Sequence, residues 1–341
     1  MTASRSRPAS RVAVVGAGIA GLACARELAA RGARVVVFER SRSVGGRLAS
    51  ISTAAGVFDA GAQYFTVQHH RFESAVNDWH AAGFVAPWDA AIVGIAAGHA
   101  EPMRTPMRRF VGVPSMGALA LELCRGIEVQ CERPIERLAR VPGGWRLFDD
   151  GGNELGLRPY DAVVVATPST VAAELLREHE DFARIARSVR WEASIAALVG
   201  LDRPSGASFD AAFVNDDPVL CWAARDSGKP RRASSAGFAE RWVLHARPSW
   251  AREALGRADS ELTDTMLRAF AARVGGPIHA SLELALRWTD ATPVNPLARG
   301  FLWDARDAVG LAGDWCGGPR IEAAFLSGVG VAAAAASTIG G

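Results

Sequence analysis

Gly16, Gly18 and Gly21 fall in a G-x-G-x-x-G spacing, and an acid, Glu39, follows them. The chemistry those residue types serve is the holding of a dinucleotide diphosphate. Gly16 permits a tight turn, Gly18 lets a pyrophosphate approach the backbone, and Gly21 lets a helix lie close to a strand. A helix beginning near Ile19 and Ala20 would offer free amides and its positive dipole end to the phosphates. Glu39 stands where a carboxylate accepts a hydrogen bond from a ribose 2′-hydroxyl.

The elements that must position these residues are legible on either side. Val12–Val15 is a short apolar run ended by a glycine, as in a strand buried on both faces. Leu22, Arg26, Leu28 and Ala29 continue at helical spacing to Gly32, a suitable C′ residue. Val35–Phe38 is a second strand, ending on Glu39. A secretory leader is the competing reading, given small residues at Ala23-Cys24-Ala25. Three glycines inside the apolar stretch, and a strand and acid beyond it, argue against it. Residues 1–10 are polar, contain Pro8, and are expected to lack structure.

Two further stretches carry similar potential. In Asp59–Phe65, Gly61 and Ala62 are small enough for a large flat ligand to reach the backbone, with Gln63 and Tyr64 as polar groups facing it. Near the C-terminus, Val309–Cys316 reads as a strand ending in Gly313-Asp314. A helix is expected to open around Gly317–Arg320, with Gly318 capping and Pro319 at its first position. That helix start would suit an anion.

Composition sets bounds. A chain of 341 residues suggests two domains. Its 49% hydrophobic and 22% charged content is that of an ordinary globular protein. A formal charge of +2 does not suggest a nucleic-acid partner. No run of 18 apolar residues is evident, so no membrane span is expected. The five cysteines, at 24, 124, 131, 221 and 316, match neither a metal pattern nor a disulfide framework; a reducing cytoplasm is the simpler setting, and no metal is expected. Lys229 is the single lysine, and Tyr64 and Tyr160 are the only tyrosines.

A hairpin is expected over 48–58, a helix over 69–82, and a helix of about ten residues after a Ser115 N-cap. Ile135–Leu138 and Trp145–Phe148 form a second hairpin, and Asp161–Pro168 returns the chain to the first sheet. From Trp191 to Trp288, alternating runs predict an antiparallel sheet with one face covered, interrupted by helices near 249–256 and 259–274. The expected architecture is α/β: a discontinuous Rossmann-type dinucleotide-binding domain (10–75, 105–175 and 300–341) with a second, α+β substrate domain (76–104 and 176–299) on an antiparallel sheet.

Arg40–Arg47, which ends Gly45-Gly46-Arg47, resembles the G-G-R extension of FAD enzymes of the amine-oxidase superfamily. Asp59-Ala-Gly-Ala-Gln-Tyr-Phe65, Ala166-Thr-Pro168, Trp222-Ala-Ala-Arg225 with Lys229-Pro230, Trp242-Val-Leu-His-Ala246, Arg287-Trp288 and Gly313-Asp-Trp-Cys316 narrow this. Together they resemble the bacterial renalases, from about Arg11 to the last helix. The resemblance implies a noncovalent FAD enzyme that oxidises misreduced NAD(P)H isomers and passes electrons to O2. It implies that Glu39 holds the adenosine ribose, with Arg40 nearby, that Gly46 and Arg47 lie by the diphosphate, and that the Ile135 backbone meets adenine. Asp314 would bind ribitol or diphosphate, with Arg320 beside it and the Ile321 amide facing flavin O2. Gly317-Gly-Pro319 and the loops 203–217 and 289–306 depart from the pattern.

Hydride transfer from a dihydropyridine needs no base, so the expected substrate site is aromatic and poor in titratable groups, with orientation as the main contribution. Tyr64, Trp222, His245 and Trp288, with Gln63, are its candidate walls. Core packing is the alternative role for each Trp and for His245. Arg225, Lys229, Arg231 and Arg232 form a basic run, read as a solvated face or as a contact for substrate phosphates. Cys316 is read as a buried thiol and not as a covalent flavin link. Amine oxidation is the competing function. It typically uses a lysine–water pair and a tyrosine cage, and Lys229 in a polar loop with Tyr160 before a buried strand would supply neither. A flavin-bound redox sensor is a third reading.

Overall fold

The computed structural model describes residues 9–103, 107–235 and 237–339; the tail 1–8 lies outside them. The chain divides into two compact units: residues 1–46, 120–190 and 295–341, and residues 47–119 and 191–294. The sequence-based boundaries differ: they give 47–75 and 105–119 to the first unit, and 176–190 and 295–299 to the second. Side-chain bonding explains the place of 47–75 and 105–119 in the second: Asp59 accepts from Lys229 and Arg232, and Arg232 also donates to the carbonyls of Gly112 and Pro114.

The first unit is built on a six-stranded sheet ordered 128–130, 34–38, 11–15, 162–165, 309–311, 302–304. All pairs are parallel except the last. Val12–Val15 and Ala162–Val165 are fully or almost fully buried, as the unbroken apolar runs require. Because neighbouring strands run the same way, Gly16, Ala166 and Gly313 emerge together at one sheet edge. Ala166 N donates to Val15 O, and Ala312 N to Val165 O. A hairpin, Ile135–Val141 with Gly144–Asp149, completes the unit.

Helix Ile19–Ala30 packs against the last helix, Ile321–Ile339. A Cβ at Gly328 would stand 2.0 Å from Ala20 O, so only glycine permits this approach. The last helix is long and apolar enough to cross a membrane, which the search for an 18-residue apolar run did not anticipate. Its stripe Ala324, Phe325, Gly328, Val331, Ala332 and Ala335 is buried inside the unit.

The second unit centres on a seven-stranded sheet ordered 280–293, 191–201, 240–246, 220–225, 211–214, 92–96, 99–102. It is antiparallel except where 211–214 meets 92–96. Period-two alternation assigns each side chain a face. Ala197, Val199, Trp242, Leu244 and Ala246 pack on one side with Leu262, Met266 and Phe270 of helix Asp259–Val274. Leu198 and Val243 face the other way, onto Ala55, Phe58 and Ala60 of the hairpin Ser50–Thr53/Gly56–Asp59. The helix expected after Ser115 is shorter than read, Gly117–Leu123. The two loops that departed from the family pattern contain strand Ala211–Val214 and strand Leu302–Asp304.

Candidate functional site

At the carboxyl edge of the first sheet, Gly16 has φ +101 and a Cβ there would meet Ala166 O at 2.7 Å. Gly21 lies so close to the turn that its Cβ would stand 2.0 Å from Gly16 O. Gly18 differs: nothing lies within 4 Å of its Cβ position. The helix it precedes has no side-chain cap and no acid in its first turn. The leading amides of Ile19, Ala20 and Gly21 therefore have no side-chain cap, and the open space at Gly18 beside the positive helix end fits a diphosphate. Gly46 follows on the same unit, its Cβ position 3.5 Å from Gly18 Cα.

Glu39 is 7% exposed. Its Oε2 accepts from Ala17 N at 2.8 Å and its Oε1 from Ser41 N at 2.8 Å. The carboxylate thus splints the glycine turn to the chain leaving the second strand, a role its sequence position did not disclose. Each oxygen retains a second lone pair for a ribose hydroxyl. Arg40 is solvent-exposed beside it. Arg133 N donates to Glu39 O, which brings the backbone leading to Ile135 alongside that acid.

Asp314 is 5% exposed and opens a single helical turn, Asp314–Gly317. Gly313 N donates to Ser327 Oγ at 2.9 Å, and Trp315 Nε1 to Thr167 O at 3.0 Å, which pins this turn to the neighbouring strand end. The long helix begins later than expected, at Ile321. Pro319 sits outside it and Arg320 caps it, with Arg320 O accepting from Ala324 N. Cys316 is fully buried, and burial pushes its thiol up, away from the nucleophilic thiolate.

In the second unit Arg47 and the Asp59–Tyr64 segment meet. Arg47 O accepts from Ala62 N, and a Cβ at Gly61 would stand 2.1 Å from Arg47 O. The Arg47 guanidinium lies 5.1 Å from the Trp191 ring and donates to Ala291 O. Gln63 turns inward: Nε2 donates to Asp59 O at 2.6 Å and to Gly61 O at 3.0 Å.

The basic run 225–232 is largely buried, not a solvated face. Lys229, read as part of a polar loop, is 3% exposed. Its three N–H bonds point at Asp59 Oδ2 (2.8 Å), Asp226 Oδ1 (2.9 Å) and Gln63 Oε1 (3.1 Å). Arg232 is buried too, bonded to Asp59 and to the carbonyls of Gly112 and Pro114. Arg225 donates to Ala207 O and Phe209 O. Of the four, Arg231 alone is solvent-exposed. Burial works to raise the Asp59 carboxyl, but Lys229 and Arg232 outweigh it and hold the group below its ordinary value. For Asp226, burial raises the carboxyl more than Lys229 lowers it.

Beside this network lies an aromatic wall. The Tyr64 ring is 5.7 Å from Trp222 and 5.9 Å from Trp88. Trp222 pairs with His245 across adjacent strands, and His245 pairs in turn with Ala196. Trp288 lies on the same sheet face, its Nε1 donating to Ala60 O. The structure therefore brings Tyr64, Trp222, His245 and Trp288 to one side of one sheet. Trp88 and the charge network were not found from sequence; Lys229, flanked by Gly228 and Pro230, carries no local sign of burial. Trp222 Nε1 and His245 Nε2 are closed off from solvent and have no hydrogen-bond partner among the described residues. Burial, reinforced by the Lys229 charge, lowers the imidazole to a pKa of about 4.

A parallel sheet whose strand ends carry a glycine turn, an inward acid and a second helical turn defines a dinucleotide-binding α/β protein. Comparison with known proteins gives the particular class. Residues 14–79 match an NAD(P)-binding Rossmann-like domain, and residues 98–336 match the flavin containing amine oxidoreductases. The second match spans well over half of the chain, which belongs to that family of flavin-dependent oxidoreductases. Protoporphyrinogen oxidase 2 of Arabidopsis thaliana is 44% identical over 68 residues, 20% of this chain and 13% of that protein. A 4,4'-diapophytoene desaturase of Staphylococcus haemolyticus is 48% identical over 50 residues, 15% of this chain and 10% of the relative. These matches span about an eighth of the relatives' length or less. Among solved structures, a putative protoporphyrinogen oxidase from Exiguobacterium sp. 255-15 superposes with a TM-score of 0.75 at 12% identity, over 95% of this chain and 98% of that one. Cyclohexylamine oxidase from Brevibacterium oxydans gives 0.72 at 14%, over 98% and 100%. At those identities the likeness is one of fold.

Proposed function

We propose that the protein is an oxidase of misreduced NAD(P)H isomers (2- and/or 6-dihydro-β-NAD(P)), carrying noncovalent FAD and using O2, as the resemblance to bacterial renalases implies. Bound FAD would take the hydride at N5 and pass the electrons to O2, giving β-NAD(P)+ and hydrogen peroxide. The first unit's residues fit that cofactor: the uncapped helix start takes the diphosphate, Glu39 the ribose, and the Asp314 turn a second polar group. The buried Cys316 thiol supports noncovalent binding, and five free cysteines support a reducing, cytoplasmic setting.

The observation that carries the substrate reading is the pair Trp222 Nε1 and His245 Nε2. These two buried polar atoms have no partner among the described residues, and they belong to residues paired across adjacent strands. An unpaired buried polar atom is costly unless a ligand satisfies it. A nicotinamide carboxamide offers both an acceptor and a donor on one planar group, and Tyr64 and Trp288 supply flat surfaces for its ring. With a pKa of about 4, His245 is neutral at physiological pH and a poor proton acceptor. Dihydropyridine oxidation requires no such acceptor.

Amine oxidation has one observation in its favour, a buried lysine bonded to Gln63. All three Lys229 N–H bonds are engaged by Asp59, Asp226 and Gln63, so none remains to hold a water. Geometry, and not a place in a polar loop, denies Lys229 the water-holding role of an amine oxidase. Anaerobic stopped-flow reduction tests the proposal. The 2- or 6-dihydro isomers should bleach the flavin far faster than ordinary NADH or benzylamine. A faster reaction with benzylamine would establish the amine oxidase instead.

A further inference from the structure

Most of the guanidiniums around the aromatic wall are tied down. Arg225, Arg232 and Arg241 each donate to backbone carbonyls, and Arg232 also to Asp59. Arg109 is the exception. It begins strand Arg109–Gly112, where it pairs with Thr66, and its carbonyl accepts from Trp88 N. Its backbone is thus fixed between the two stretches that carry Tyr64 and Trp88. Its half-buried guanidinium lies 5.4 Å from the centre of the Tyr64 ring. Among the described residues no carboxylate pairs with it.

A cation within about 6 Å of a ring centre is attracted to the ring and gives up no N–H donor to a competing acceptor. The guanidinium fork matches two oxygens of a phosphate, and the nearby Tyr64 ring helps to hold it in place before binding. Tyr64 also neighbours Trp222, whose indole N–H has no partner among the described residues. One ring therefore neighbours both a cation with no carboxylate partner and an indole N–H donor. A nicotinamide mononucleotide unit has this arrangement, with a carboxamide on the ring and a phosphate across the ribose.

We propose that Arg109 is the anion-binding residue of the second unit, and that it receives the phosphate on the nicotinamide side of the substrate. The inference rests on the reading that the Trp222–His245 face takes a dihydronicotinamide ring. It adds that recognition extends past the ring to the attached phosphate.

The test is calorimetric titration of the flavin-loaded enzyme with nicotinamide riboside, nicotinamide mononucleotide and NAD+. In Arg109→Gln the Kd for the two phosphate-bearing ligands should rise about tenfold or more, while that of the riboside stays unchanged. Arg109→Lys, which keeps the charge without the planar fork, should show a smaller rise. In the wild type, added salt should weaken the mononucleotide and not the riboside, a readout that needs no variant. An equal loss for all three ligands, a loss for NAD+ alone, no loss at all, or a wild type that binds none would overturn the proposal. If the wild type binds all three while dihydro forms leave its flavin oxidised, the oxidase reading fails and the Arg109 comparison still decides.

Discussion

Lys229 Nζ lies 2.8 Å from Asp59 Oδ2, and both side chains are fully buried. A buried pair of this kind is weak evidence for net stabilisation, but removing one partner leaves a charge stranded. Lys229→Met should therefore lower unfolding free energy by about 3–5 kcal/mol. Asp226 is the acid nearest to losing its charge, so adding Asp226→Asn should recover much of that loss. Denaturant midpoints at neutral pH would show it. A double variant no more stable than the single one would mean that charge balance does not govern this network.

The glycine turn separates packing from binding. Gly18→Ala meets no protein atom and suits the existing backbone, φ −72 and ψ 176. It should leave the melting temperature of the apoprotein unchanged while weakening FAD retention. Gly21→Ala drives a methyl group into Gly16 O and should destabilise the apoprotein itself, by about 1–3 kcal/mol or more. Equal FAD affinity in Gly18→Ala and wild type would remove the diphosphate from that helix start.

Glu39 accepts backbone N–H bonds through both oxygens. In Glu39→Gln one of those amides must face an NH2 group, which leaves a buried donor unpaired at about 1–3 kcal/mol. Both thermal stability and FAD affinity should fall. Loss of affinity with unchanged stability would make Glu39 a ribose ligand without the splinting role.

The imidazole of His245 supplies a pH signature. Unfolded, the group has its ordinary value of 6.5; folded, it sits at about 4. Above pH 6.5 both states hold it neutral and it adds no pH dependence. As pH falls from 6.5 toward 4 the unfolded chain takes up a proton that the folded chain refuses. Stability should drop over that window by up to roughly 3 kcal/mol relative to His245→Gln. Parallel stability curves for wild type and variant would show the ring to be accessible to solvent.

Legibility followed sequence distance. The strand, glycine turn, helix and acid of residues 11–39 are local, so spacing alone announced them. The helix Asp259–Val274 was read to its ends because its apolar residues recur at helical period. Trp222, His245 and Trp288 were placed on suitable strands, but their shared face depends on register between strands far apart in sequence. Lys229 was misread because what buries it is remote: Asp59 and Gln63 precede it by 170 and 166 positions. A lysine between glycine and proline carries no local mark of such company.

Donors to the Asp59 carboxylate come from Ser50, Met116, Lys229 and Arg232. During synthesis the strand bearing this acid leaves the ribosome long before its two cations do. The first sheet waits longer still, because Val309–Leu311 pairs with Ala162–Val165. Neither half can be finished as a nascent piece, so the chain must hold two incomplete cores in reserve until translation is nearly over, a window in which chaperones have the most to bind.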